Sequence, residues 1–177
     1  TLFSRPEFLA SRDRKVRRPV SVVAASLRVA GSAFSAVVSG GNDYMRTLNS
    51  RLTLLGNLPY RWLPPDGYPD YNGYWVNSGA SLNRWNWMFA VAEGKANAGI
   101  VIDAFALAGG ATNPTQLVDN LAQRLLRRSL STPDRDRFIA FAANGGSPTA
   151  TLTTNNVTLR SKEMIGLLLS SAYFQYR

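Results

Sequence analysis

Along most of this chain, apolar side chains recur every three or four positions, the spacing that draws a stripe down one side of an α-helix. From Pro19 the stripe runs through Val20, Val23, Ala24, Leu27, Ala30, Gly31, Phe34, Val37 and Val38, with Gly40-Gly41 beyond it. It predicts a helix over Pro19–Val38, small-residue-rich, that wants neighbours on more than one side. Leu48, Leu52 and Leu55 predict a helix capped by Asn42 or Asp43 and stopped by Gly56. Leu82, Trp85, Phe89 and Ala92 define the expected core face of a helix capped by Asn77 or Ser78. The run "ANAGIVIDAFALAGG" reads as a short apolar helix.

Punctuation residues supply the other boundaries. Ser4, Pro6 and Glu7 form a helix start with a capping box. Asn113-Pro114 opens a helix through Leu117, Leu121 and Leu125, and Ser131-Thr132-Pro133-Asp134 opens the next. A last helix spans about Val157 to Ser171. There is no internal repeat and no run that demands a strand. The expected class is all-α, an irregular multi-helix bundle forming a single helical domain over residues 1–177. One small β-hairpin is placed in Gly145–Asn156, where four threonines favour extended backbone within an otherwise irregular surface stretch. The segment "RKVRRPVSVVAASLRVAGSAFSA" imitates a secretory signal, but Arg28 interrupts its apolar middle, so it reads as an internal close-packed helix.

Composition narrows the chemistry. The chain has no cysteine and no histidine. That excludes disulfides, thiolate nucleophiles, zinc–thiolate sites, the commonest general base and the commonest metal ligand. No phosphate loop, dinucleotide fingerprint or metal-ligand spacing is present, so no cofactor and no metal is expected. The net charge of +9 permits polyanion partners. The basic runs "RDRKVRR" and "QRLLRRSLSTPDRDR" place Arg124, Arg127 and Arg128 along one helix face. Aspartates lie among them and no aromatic interleaves with the second run, so nucleic-acid binding is the third-ranked reading, behind a solvated face.

The densest signal is "LPPDGYPDYNGYWVNSG", Leu63 to Gly79. Prolines lower the entropy lost on ordering, so Pro64, Pro65 and Pro69 can hold a fixed loop without regular hydrogen bonds. Gly67 suits a turn position with positive φ. Tyr68 and Trp75 either plug the top of the bundle or present a stacking platform, and packing is the commoner fate of loop aromatics. Asp66 and Asp70 are a close carboxylate pair, the type used in glycoside hydrolysis. They define an alternative reading as a hydrolase of a polysaccharide or similar polymer, weakly supported because turn aspartates usually serve local hydrogen bonds. Asn77, Ser81, Arg84 and Met88 share a helix face. From spacing alone, Arg84 is either a solvated arginine or a fork reaching back to Asp66, Asp70 or loop carbonyls.

The combination of Leu55-Gly56, Pro64-Pro65, Gly67-Tyr68-Pro69, Trp75, Asn77-Ser78 and Arg84 resembles the C-terminal region of the bacterial domain-of-unknown-function 1800 family. "FSRPEFLASRDRKVRRPV" resembles the family segment before this motif and "LLLSSAYFQYR" its closing segment, with Ser171-Ala172-Tyr173-Phe174-Gln175 where Ser-Pro-Glu-Phe-Gln is typical. The resemblance implies a helical, exported protein, periplasmic or at the cell surface. It implies that this chain is the C-terminal part of a longer one, packing on the missing N-terminal part or another subunit, with a sulfatase-like protein as a further partner. It implies no catalytic residue. It selects the structural role for Arg84, as a clamp hydrogen-bonded under the Pro64–Asp70 loop beside a buried Trp75. The expected function is therefore a non-catalytic helical module supporting surface assembly or polymer and protein binding.

Overall fold

Helix starts in this chain are set by short polar side chains that accept hydrogen bonds from the first free amides of a helix. The computed structural model, which describes residues 2–34, 44–97 and 99–177, places such caps at Asn77, Asn113, Ser131 and Thr153. The elements run α1 (Pro6–Ala10), α2 (Pro19–Val29), β1 (Ala33–Phe34), α3 (Tyr44–Leu54), α4 (Asn72–Trp75), α5 (Ser78–Ala92), β2 (Ile100–Val101), α6 (Ala104–Leu107), α7 (Pro114–Leu126), α8 (Thr132–Ala143), α9 (Thr154–Ser170) and α10 (Ala172–Gln175). Among the described residues the fold is all-α with one small antiparallel ribbon.

Three boundaries differ from the sequence pattern. Helix α2 stops at Val29, well before Val38, because Gly31 takes φ +62° and the Ser32 and Gly31 amides close a Schellman turn on the Leu27 and Arg28 carbonyls. Gly31 had counted as one more small member of the stripe. The expected continuation through Val37 and Val38, and the expected caps Asn42 and Asp43, lie outside the described residues. The ribbon pairs Ala33 with Val101 and Phe34 with Ile100, so part of "ANAGIVIDAFALAGG" is strand, followed by the one-turn α6 capped by Asp103. No hairpin forms at Gly145–Asn156: the stretch is irregular and mostly exposed up to Thr153, and its last three residues open α9. Its threonines serve turns and the α9 cap, and Leu152 donates a single backbone bond to Thr112.

The core is one contiguous cluster centred on the packing of α5 against α9, with α7, α6 and α2 closing around it. Trp87, Met88 and Val91 of α5 meet Met164, Ile165, Leu168 and Leu169 of α9, all essentially without exposure. The buried face of α5 is thus Arg84, Trp87, Met88, Val91 and Ala92, while Leu82 and Trp85 from the expected stripe stand in solvent. This helix is apolar on two adjacent faces, and only the position of α9 selects between them. On α2, Val22, Val23 and Leu27 are buried, and the Trp87 indole donates to the Ser26 hydroxyl across 3.0 Å.

At the crossing, α9 carries Gly166 against the Phe89 ring. A Cβ added there would sit 2.5 Å from Phe89 Cδ1. Alanine is the better helix former by about 1 kcal/mol, but overpacking of this kind costs roughly 1–3 kcal/mol. Gly166→Ala is therefore expected to destabilise, and adding Phe89→Leu to recover part of the loss. Urea denaturation of the two variants tests this; a G166A chain as stable as wild type would show that the helices separate without penalty.

Candidate binding site

Backbone carbonyls in a proline-rich loop need donors from elsewhere, because proline has no amide hydrogen. In the loop between α3 and α5, aromatic side chains provide them. The Trp75 indole donates to the Pro69 carbonyl at 2.9 Å and the Tyr68 hydroxyl to the Leu58 carbonyl at 2.7 Å. The Trp62 indole donates to the Asp66 carboxylate at 3.1 Å. The rings then pack on one another: Trp62 on Tyr68 at 5.0 Å, Tyr74 edge-on to Trp75 at 4.7 Å, and Tyr68 beside Trp75 at 6.0 Å between centroids. Trp75 is buried; Tyr71 and Tyr74 are exposed. Gly67 takes φ +75°, a conformation that suits glycine. Pro64, Pro65 and Asp66 are exposed, and Tyr68 and Pro69 half-buried.

The loop docks on the N-terminal basic run. Asp70 accepts from Lys15 at 2.5 Å and from Arg18, whose nearest nitrogen is at 2.9 Å. Asn72 grips the backbone of the run from both sides, donating to the Arg14 carbonyl and accepting from the Val16 amide. Asn57, buried at the loop's entry, accepts from the Val20 amide and so stands in for the side-chain cap that Arg18 does not supply to α2. The run itself is tied to the C-terminus: Lys15 and Arg177 exchange backbone hydrogen bonds and Arg17 donates to the Gln175 carbonyl.

Arg84 corrects the expected clamp. It is buried beside Trp75, but its hydrogen bond runs from Nη1 to Gln175 Oε1 at 3.2 Å, not to Asp66, Asp70 or a loop carbonyl. Within the Pro64–Asp70 loop the Pro69 carbonyl and the Asp66 carboxylate are taken by indole donors, and Asp70 by two cations. Burial pushes the Arg84 guanidinium below its ordinary pKa, opposed by the neighbouring Tyr176 phenol. Asn77 acts where its type implies, capping α5 through the Ala80 amide at 2.8 Å.

Two candidate constellations are placed apart from the expected chemistry. Asp66 and Asp70 have separate partners, an indole and a pair of cations. In the second basic run, Arg128 bonds Asp13 and the Tyr173 carbonyl, Arg135 holds Asp119 through two bonds of 2.7 Å, and Arg137 pairs with Asp134. Asn57, Asn72 and Gln175 were missed by sequence reasoning, and Lys15 and Arg18, within the quoted basic run, were not matched to Asp70. Asn72 sits inside the quoted loop, but its partners lie more than fifty residues away, and no local pattern encodes them.

A groove of about 880 Å³ opens where the basic run meets the loop, lined by Phe8, Arg12, Arg14, Lys15, Tyr71 and Arg177, with Asp70 and Asn72 at the loop side. No helix among the described residues is long and apolar enough to cross a membrane.

The geometry makes two predictions. Trp75→Phe leaves the Pro69 carbonyl without its donor, at about 1–3 kcal/mol, and should destabilise more than Trp62→Phe, whose indole serves an exposed carboxylate; chemical denaturation of both variants measures the order. Asp70 is held below the usual carboxylate range by hydrogen bonds from Lys15 and Arg18. Its contribution is fully present above the unfolded value of about 3.9 and is lost as pH falls through the depressed folded value. Asp70→Asn should therefore melt below wild type at neutral pH, with the gap closing in acid; a gap that persists at pH about 2 would contradict this sign.

A family model described as "Protein of unknown function (DUF1800)" matches residues 1–176. No curated protein and no solved structure matches the chain.

Proposed function

The chain belongs to the DUF1800 family, and on that footing we propose that it is a non-catalytic helical module of an exported bacterial protein that binds an acidic polymer, a polysaccharide carrying carboxylates or sulfates. The observation that carries the reading is the groove between the basic run and the aromatic loop. Arg12, Arg14, Lys15 and Arg177 line it together with the rings of Phe8 and Tyr71. Cations attract a polyanion and release its counterions on contact, while ring faces stack on sugars. Lys15 and Arg18 pair with Asp70 at the groove, which leaves its cationic character to Arg12, Arg14 and Arg177.

The alternatives have less support. A carboxyl held ionised by two cations is a poor general acid, and Asp66 is turned to an indole, so a paired-carboxylate hydrolase lacks its pair. Of the row Arg124, Arg127 and Arg128, Arg128 is engaged with Asp13, and Arg135 and Arg137 beyond it pair with Asp119 and Asp134.

Binding of polygalacturonate, neutral dextran and a single-stranded DNA oligomer to the chain, measured by calorimetry, tests the reading. Polygalacturonate should bind, dextran should not, and affinity should fall at least tenfold between about 50 and 200 mM salt. Arg14→Ala and Tyr71→Ala should each weaken binding several-fold without changing the circular dichroism. Tighter binding of the DNA would move the function to nucleic acid, and absence of binding to both polyanions would sink it.

A further inference from the structure

A second cleft, of about 220 Å³, lies between the loop, α5 and the C-terminal turn, and shares no lining residue with the basic groove. Its walls are Val16, Trp75, Val76, Trp85 and Tyr176, and Arg84 lines it. Arg84 is only 4% exposed. Its Nη1 is used by Gln175, but Nε and Nη2 are enclosed and without a hydrogen-bond partner. Ser170 Oγ, also enclosed and unpartnered, lines the same cleft. Of the five such orphaned side-chain atoms among the described residues, three thus meet in one place.

The chemistry of this arrangement is specific. A guanidinium stays charged, and a buried charge without a counter-charge is a strongly unfavourable arrangement. None of the described ion pairs includes Arg84. Nε–H and the adjacent Nη2–H lie parallel on one edge of the guanidinium, spaced to meet both oxygens of a carboxylate. The opposite nitrogen, Nη1, is the one that Gln175 holds, and Gln175 is itself fixed by donating to the Leu169 carbonyl at 2.8 Å. The guanidinium is therefore held by its neighbour at Nη1 while its side-on fork is left without a partner. The cleft is smaller than the roughly 300–1,000 Å³ of drug-sized pockets, so its occupant is a short stem rather than a chain lying along a groove.

We propose that this cleft is a carboxylate-binding site, in which the Arg84 fork takes the two oxygens side-on, Ser170 Oγ adds a third donor, and Trp75, Trp85 and Val76 enclose an aromatic or aliphatic stem. The carboxylate comes either from a small organic acid or from an Asp or Glu side chain of a protein segment. The site is independent of the polymer groove, so either can fail alone.

Benzoate, its uncharged isostere benzamide, inorganic phosphate and an end-blocked peptide with one internal Asp are titrated into the chain. Tryptophan fluorescence is the readout, since Trp75 and Trp85 line the cleft, with calorimetry for affinity. Benzoate or the peptide should bind saturably, and at least tenfold tighter than benzamide. Benzoate binding more tightly than the peptide assigns a small acid; the reverse assigns a protein segment. Arg84→Lys should weaken binding at least tenfold because a point charge cannot reproduce the fork, and Arg84→Gln should abolish it, with circular dichroism confirming the fold. Should either variant fail to fold, the discrimination by the wild-type chain still decides, and Trp85→Phe, at an exposed position, assigns the fluorescence change to the cleft. Equal binding of benzoate and benzamide, tighter binding of phosphate, unchanged binding in R84K, or no binding by either carboxylate would overturn the proposal; in the last case water satisfies the fork and the cleft is structural.

Discussion

The approach of α5 to α9, with the Phe89 ring laid on the bare backbone of Gly166, governs the rest of this structure. A side chain at that point would hold the helices apart by the width of a methyl group. With none, Met88 and Val91 reach Met164, Ile165 and Leu168 and exclude water completely. The same crossing chooses which of two apolar faces α5 buries. Trp85, a large aromatic, consequently stays in solvent while Arg84, a permanent charge, is buried.

That outcome shapes the end of the helix pair. Once α9 has taken the Trp87 and Met88 side of α5, the turn that follows α9 must pass over Arg84, and Gln175 arrives there to accept from it. A hydrophobic constraint at the middle of the helix pair therefore creates an electrostatic opening at its end. The guanidinium is held by one neutral partner rather than neutralised by an acid, which leaves Nε and Nη2 unpartnered on a residue that lines the cleft between Trp75 and Tyr176.

The loop solves a different problem. Its prolines remove amide donors around Pro64–Asp70, and indoles and phenols supply some of the missing donors, so its aromatics are hydrogen-bonding side chains that also pack. Asp70 and Asn72 then fasten it to residues 14–18, and the backbone pairing of Lys15 with Arg177 fastens that run to the C-terminus. Loop, basic run and C-terminal turn form one assembly, and both clefts are seams within it. Binding at either seam would bear on contacts distant in sequence.

Much of the secondary structure is determined by the sequence alone, for a local reason. A cap such as Asn77, Asn113 or Ser131 acts on amides two or three residues away, and a stripe such as Leu117, Leu121 and Leu125 needs only a period. The all-α class, the aromatic loop, its turn glycine at position 67 and the family itself are legible on the same terms. Where two local signals compete, as at Gly31 within its small-residue stripe, the pattern alone does not say which prevails, and a backbone turn settles it. The buried face of α5, the pairing of β1 with β2 across sixty-odd residues, and the partner of Arg84, ninety-one residues away, depend on where other elements come to rest. A charged side chain carries no mark of its eventual burial, because burial is a property of what packs over it; only the tertiary structure decides that Arg84 is buried and Arg14 exposed at the rim of a groove.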